Sequence, residues 1–251
     1  MFMIKKGQIT IFVILGIIIV SIIVFAIFLR SEILINLTTT EVATIEDLSM
    51  ESRQNAEAIQ ECVKSFAKIA IINAGETAGF FDIKSTKFEY ANTPVYVLFE
   101  NDQNLMPMKN VLENNLANQL SMQATECANI QSKLKISSGR IENVEVDIQS
   151  DKISYSVEWP IRFEGEEFSE RLSKFYFEIP IRLGTIYDVI DDFIEEQVNE
   201  PSTVCLNCLI NIAQANNLLI RATPVLNKYV FLVEDLNDDE PYMFLFGGIL
   251  S

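Results

Sequence analysis

Histidine is absent from all 251 residues. That removes Ser-His-Asp and Cys-His catalysis, and every zinc site built on imidazole. Basic residues are scarce: 19 Lys+Arg stand against 35 Asp+Glu, a formal charge of −16. A surface of that sign repels phosphate backbones, so no nucleic-acid partner is expected. Internal repeats and low-complexity linkers are also missing. Carboxylate pairs, Ser-Lys pairs and thiols are the chemistry that remains, and no two of the scattered carboxylates stand out as a glycosidase pair. No catalytic residue, cofactor or metal-ligand set is assigned, and the chain is not expected to be an enzyme.

What is present begins with an apolar run. Ile9 to Leu29 is 21 residues without a charge, broken only by Thr10, Gly16 and Ser21. As a helix it measures roughly 30 Å, enough to cross a bilayer core. A cleavable secretory signal has a shorter apolar region and a small-x-small site, and Phe28-Leu29-Arg30 offers none. The run therefore reads as a transmembrane helix. Lys5 and Lys6 precede it, and the positive-inside rule places them in the cytoplasm. The expected location is the cell membrane, single-pass, with the N-terminus cytoplasmic and the C-terminal domain extracellular. Beyond the run, 17 Lys+Arg face 35 Asp+Glu, a balance of −18. Membrane lipid is the first expected partner. Gly16 and Ser21 give a small-residue surface on which copies of the helix can associate. Asn36-Leu37-Thr38 is the one glycosylation sequon, with Asn36 as acceptor.

Four cysteines, Cys62, Cys127, Cys205 and Cys208, suit two disulfides in an exported domain. A helical stripe runs through Ile45, Leu48, Ala56, Ile59, Cys62/Val63, Phe66 and Ile69/Ala70, with Gly75 and Gly79 ending it. Thr38 and Glu41 have capping-box spacing at its start. A helix over 38–73 would be roughly 50 Å long, a stalk above the membrane. A second helix begins near Pro107 and carries Leu112, Leu116, Leu120, Ala124 and Cys127 on one face. Packed face to face, the two helices bring Cys62 beside Cys127; the alternative is a pair of inert core thiols.

The period then changes to two. Val144, Val146 and Ile148, then Ile153 to Phe163, then Phe175 to Ile181 alternate apolar with mostly polar residues, a three-stranded antiparallel meander. Pro160 and Pro180 fall on its opposite face, where an edge or a bulge admits proline. A short helix over 185–198 has an acidic side of Asp188, Asp191, Asp192, Glu195 and Glu196. Ser202 or Thr203 caps a further helix, and two or three strands follow it.

Cys205-Leu206-Asn207-Cys208 falls in the first turn of that helix, where the dipole lowers a thiol pKa. Thr223-Pro224 follows at a distance too short for the strand-helix-strand unit of thioredoxin-like enzymes. The strand and tryptophan that precede their first cysteine are missing too. A structural disulfide, a staple between helix and loop, a redox pair and a zinc site of four thiolates all stay open. In the acidic loop 234–240, Asp235, Asn237 and Asp239 have the first three ligand spacings of a calcium loop. Its glycine position is Glu240 and its closing glutamate position is Phe246, so a solvated turn is the simpler reading.

Lys5-Lys6-Gly7-Gln8 directly before the apolar run resembles the class III signal peptide of archaeal type IV pilin-like proteins. The resemblance covers about 25 residues. It implies a prepilin-type peptidase as partner, cutting between Gly7 and Gln8, and a retained helix that serves as a filament core. Those pilins carry glutamate at the fifth mature position, where this sequence has Phe12. Over most of its length the chain is also similar to membrane-anchored surface proteins of small-genome, DPANN-type archaea. The matching features are Cys62 before Gly79-Phe80, Cys127 at the end of a second helix, Pro160–Arg162, Arg182-Leu183 and Pro241–Phe246. That resemblance implies location and architecture, and no chemistry.

The expected fold is α+β: a transmembrane helix, a long helical stalk, and an ectodomain in which an antiparallel sheet packs on helices. The expected division is 1–8 a basic cytoplasmic segment or leader, 9–29 the span, 30–79 the stalk and 80–251 the ectodomain. The expected role is that of a membrane-anchored archaeal surface protein with a structural, adhesion or assembly function, as a homo-oligomer or pilin-like assembly. An extracellular binding module and a membrane-tethered thiol-disulfide enzyme using Cys205 and Cys208 are the alternatives.

Overall fold

The computed structural model describes residues 39–42, 44–81, 85–199, 202–237 and 242–250. Lys5, Lys6, the Gly7–Gln8 junction, the run 9–29 and Asn36 lie outside the described residues.

Among the described residues, four helices and two sheets share one hydrophobic core. Helix α1 (Met50–Glu76) places Ala56, Ile59, Val63, Ala67, Ala70, Ile71 and Ala74 on one buried face, at the three-and-four spacing of a helix. Its end is a Schellman turn: Ala78 takes a left-handed φ of 53° and the Gly79 N–H bonds back to the Ala74 carbonyl at 2.7 Å. Gly75 is inside the helix rather than at its end. It lies against the Met243 carbonyl and the Tyr242 ring, and only a residue without Cβ fits there. Helix α2 (Lys109–Gln123) buries Leu112, Leu116 and Leu120 and passes into a 3-10 turn, Ala124–Ala128, that carries Cys127.

The first sheet takes the order β1-β8-β7-β5, with β6 also on β7. Its strands are β1 (Thr39–Val42), β5 (Lys135–Ser138), β6 (Asn143–Ile148), β7 (Ile153–Glu164) and β8 (Ser169–Ile179). Alternation along β7 buries Ile153, Tyr155, Val157, Trp159, Ile161 and Phe163, and Tyr155 stacks on Phe177 of β8 with centroids 5.0 Å apart. The β7–β8 register shifts between Glu158 and Ile161, a bulge that holds Pro160; Pro180 lies just past the end of β8.

The second sheet runs β2-β3-β11-β10-β9, with the short β4 also on β3. It comprises β2 (Lys87–Tyr90), β3 (Thr93–Glu100), β4 (Gln103–Asn104), β9 (Leu218–Val225), β10 (Lys228–Asp235) and β11 (Met243–Ile249). Neither sheet is purely antiparallel: β1 runs parallel to β8, and β11 parallel to β3. Helix α1 packs on both β8 and β11 and so lies between the sheets. Helix α3 (Leu183–Asn199) covers β3, with Phe193 against Phe99 and Phe231 at centroid distances of 6.0 and 5.4 Å. Helix α4 (Leu206–Asn216) packs on α3 and β9.

Two expectations are corrected. Among the described residues no helix is long and apolar enough to cross a membrane. The single-pass membrane placement, with a cytoplasmic N-terminus and an extracellular C-terminal domain, is therefore not supported. Among the described residues of 30–79 there is also no long helical stalk. Thr39–Val42 is a strand on β8, Ile45–Asp47 is a 3-10 turn, and α1 starts only at Met50. Its N-cap is Ser49, whose hydroxyl donates to Glu170 Oε2 at 2.8 Å instead of capping its own helix. The stripe that reads as a stalk is the face that both sheets cover, because an apolar stripe is removed from water by whatever apolar surface lies nearest.

Candidate functional site

The first disulfide joins Cys62 of α1 to Cys127 of the 3-10 turn, with Cα atoms 5.7 Å apart. Cys127 is fully buried in the core, and Cys62 is partly buried against it. It ties the helix between the sheets to the end of α2.

The second joins Cys205 to Cys208 across the first turn of α4, Cα to Cα 5.3 Å. Cys205 is the N-cap, so the helix starts after it rather than after Ser202 or Thr203. Gln197, wholly buried on α3, sets this position: its Oε1 accepts the Cys205 N–H at 3.0 Å and its Nε2 donates to the Thr203 carbonyl at 2.9 Å. A carboxylate oxygen of Glu196 and the two sulfurs lie within 4.8 Å of one another. Leu206, between the two cysteines in sequence, and Ile210, one turn further along α4, are 55% and 53% exposed. A four-thiolate zinc site is ruled out, because the cysteines are used up in two separate pairs. Bonded to each other, the Cys205 and Cys208 sulfurs are not thiolate ligands either, which leaves Glu196 as a lone carboxylate.

Glu196 and Gln197 both escape a sequence-only assignment to this motif. Glu196 reads as one more member of a solvated acidic face. Gln197 leaves a signal: it continues the apolar stripe Ile190, Phe193, Ile194 by one turn, and a polar residue at a core position needs a partner.

The acidic loop is not a calcium loop in its first ligand. Asp235 is wholly buried, and its Oδ1 accepts from Arg182 Nη1 at 2.9 Å and from the Asn237 N–H at 3.0 Å. Asp239 lies outside the described residues.

The outer face of the second sheet forms an open groove of about 350 Å³. Val95, Val230, Leu232 and Leu245 line its floor, and Arg221 and Thr223 stand on its rim. Register puts Arg221 opposite Leu232 and Thr223 opposite Val230. Arg221 Nη2 pairs with Glu234 Oε2 at 3.1 Å on the same face. Phe88 of β2 closes one end: it lies over Gly247, and Lys228 Nζ stands 4.9 Å from its ring centroid. No protein-family model, curated protein or solved structure matches the chain.

Proposed function

We propose that the chain is a structural assembly module that associates with a second copy of itself through the outer face of the six-stranded sheet. The groove in which partly exposed Leu232 and Leu245 lie beside buried Val95 and Val230 carries this reading. Apolar sheet faces of this kind are commonly interaction surfaces. The occupant follows from charge. At a formal charge of −16, two copies repel over most of their surfaces. On this face Arg221 and Lys228 accompany Glu234, so the acidic charge is offset here. Basic and acidic side chains flanking one apolar floor are also self-complementary: a two-fold axis sets Arg221 of one copy against Glu234 of the other. The Cys62–Cys127 bond suits the role by holding the helix that backs both sheets.

Sedimentation velocity over a concentration series tests it. Dimer is expected to grow with concentration, and Leu232→Glu or Leu245→Glu is expected to return it to monomer with an unchanged circular dichroism spectrum. A native chain that stays monomeric at the highest concentration overturns the proposal.

A further inference from the structure

The two disulfides differ in how far they are covered. Cys62–Cys127 has one sulfur-bearing residue, Cys127, wholly buried and the other partly buried against the core, whereas Cys205 and Cys208 are both partly exposed at a helix start. We infer that the Cys205–Cys208 bond is a thiol–disulfide exchange site that oxidises a pair of thiols in an apolar polypeptide segment, with Glu196 moving the protons.

Four observations on the same spot meet in this assignment. A disulfide is attacked only where a thiolate can reach it, and this one is partly open. The Glu196 carboxylate lies within 4.8 Å of both sulfurs, close enough for one small adjustment to bring it to a thiol proton. Leu206 and Ile210 offer an apolar surface beside the bond, which selects an apolar segment over a small hydrophilic thiol. Gln197 fixes the 203–205 backbone, so the site is built on the α3 scaffold rather than on a loose loop.

The step balances without another reactant. A thiol of the incoming segment gives its proton to Glu196, and the thiolate attacks Cys205 Sγ. The Cys205–Cys208 bond breaks, and Cys208 leaves as thiolate and takes that proton. The segment's second thiol loses its proton to Glu196, and its thiolate attacks the segment's own sulfur in the mixed disulfide. Cys205 leaves as thiolate. At the N-cap it stands at the positive end of the α4 dipole, which favours it as leaving group before it is protonated. The segment is oxidised by two electrons to a disulfide, and Cys205 and Cys208 are reduced to thiols, one equivalent per chain.

The probe is a fully reduced synthetic apolar peptide with two cysteines, mixed with the oxidised full chain in the absence of other oxidants. Alkylation and mass spectrometry follow each cysteine. One peptide disulfide per chain is expected, with Cys205 and Cys208 alkylated and Cys62–Cys127 intact. The rate is expected to exceed that of an oxidised Cys-Leu-Asn-Cys tetrapeptide by about tenfold or more, and Glu196→Gln to remove most of that advantage. Cys208→Ala, offered the oxidised peptide, is expected to hold it as a mixed disulfide on Cys205. A Cys205–Cys208 bond that stays intact, a rate no faster than the tetrapeptide, or a native rate in Glu196→Gln overturns the assignment. Glu196 is exposed, so that variant folds.

Discussion

Arg182 and Asp235 form an ion pair across the join between α3 and the second sheet, Nη1 to Oδ1 2.9 Å. Asp235 is wholly buried, and the second guanidinium nitrogen, Nη2, donates to the Asn216 carbonyl at the end of α4 at 3.0 Å. One cation thus fastens the last residue of β10 and the C-terminus of α4 to the residue before α3. Removing one member of a buried pair strands the other. Asp235→Ala is therefore expected to lower stability by about 3–5 kcal/mol, read as a fall in the denaturant midpoint. A loss below about 1 kcal/mol would mean that water compensates the guanidinium.

The Cys62–Cys127 bond closes a loop of 65 residues. On the chain-entropy estimate that contributes roughly 4 kcal/mol, acting mainly on the unfolded chain. The double variant Cys62→Ala, Cys127→Ala is expected to keep the native circular dichroism spectrum and lose an amount of that order in chemical denaturation. The same test on Cys205 and Cys208 is expected to give a smaller loss, because a separation of three residues restricts the unfolded chain much less.

Two glycines are close-approach positions. A methyl at Gly184 would collide with the Gln149 carbonyl, where α3 begins against the turn between β6 and β7. A methyl at Gly75 would strike the Met243 carbonyl. Both neighbours are backbone, so neither rotates away. Gly75→Ala and Gly184→Ala are each expected to destabilise by about 1–3 kcal/mol or more, although alanine is the better helix former at both sites. Thermal unfolding of the two variants checks this.

Three of the seven tyrosines resist ionisation. Burial pushes the hydroxyls of Tyr155, Tyr187 and Tyr242 well above the ordinary 10.0, with Asp191 and Asp188 adding to it at Tyr187. The folded chain therefore keeps protons that the unfolded chain releases above about pH 10. Their contribution to stability is fully present below that pH and falls as pH rises beyond it. Tyrosinate absorbance is expected to show these three ionising only as the protein unfolds. Tyr242→Phe would remove one of them, together with the hydrogen bond its hydroxyl donates to the Ile71 carbonyl at 3.0 Å.

Elements with a strong local period are plain in the sequence. The alternation from Ile153 to Phe163 is a strand with one buried face, and Leu112, Leu116 and Leu120 mark a helix. Residues 80–100 read as a loop with one or two strands, which takes in β2 and β3, but strand β5 passes unnoticed, because Lys-Ile-Ser-Ser is too short to display a period. The stripe of α1 is equally visible, but a stripe does not say what covers it, and reading it as a stalk leaves out the two sheets. At the site, the Cys205/Cys208 spacing is legible. The approach of Glu196 is not, since it depends on how α3 and α4 pack. Asp235 has the composition of a loop ligand and is buried by Arg182, 53 residues earlier, a pairing that no local pattern carries.

Strand β11 lies between β3 and β10, yet it comes from 243–249 while β3 comes from 93–100. A ribosome releasing this chain therefore exposes β3 long before its neighbour exists. Until Met243–Ile249 has emerged, the second sheet is two separate pieces, β2–β4 on one side and the β9–β10 hairpin on the other. Each shows an open strand edge and an uncovered apolar face. At the ~5–20 residues per second of synthesis, that interval lasts on the order of ten seconds or more. A nascent chain of this protein is a natural client for a factor that shields strand edges, and a yield that depends on such a factor would come from the place of β11 in the sheet order.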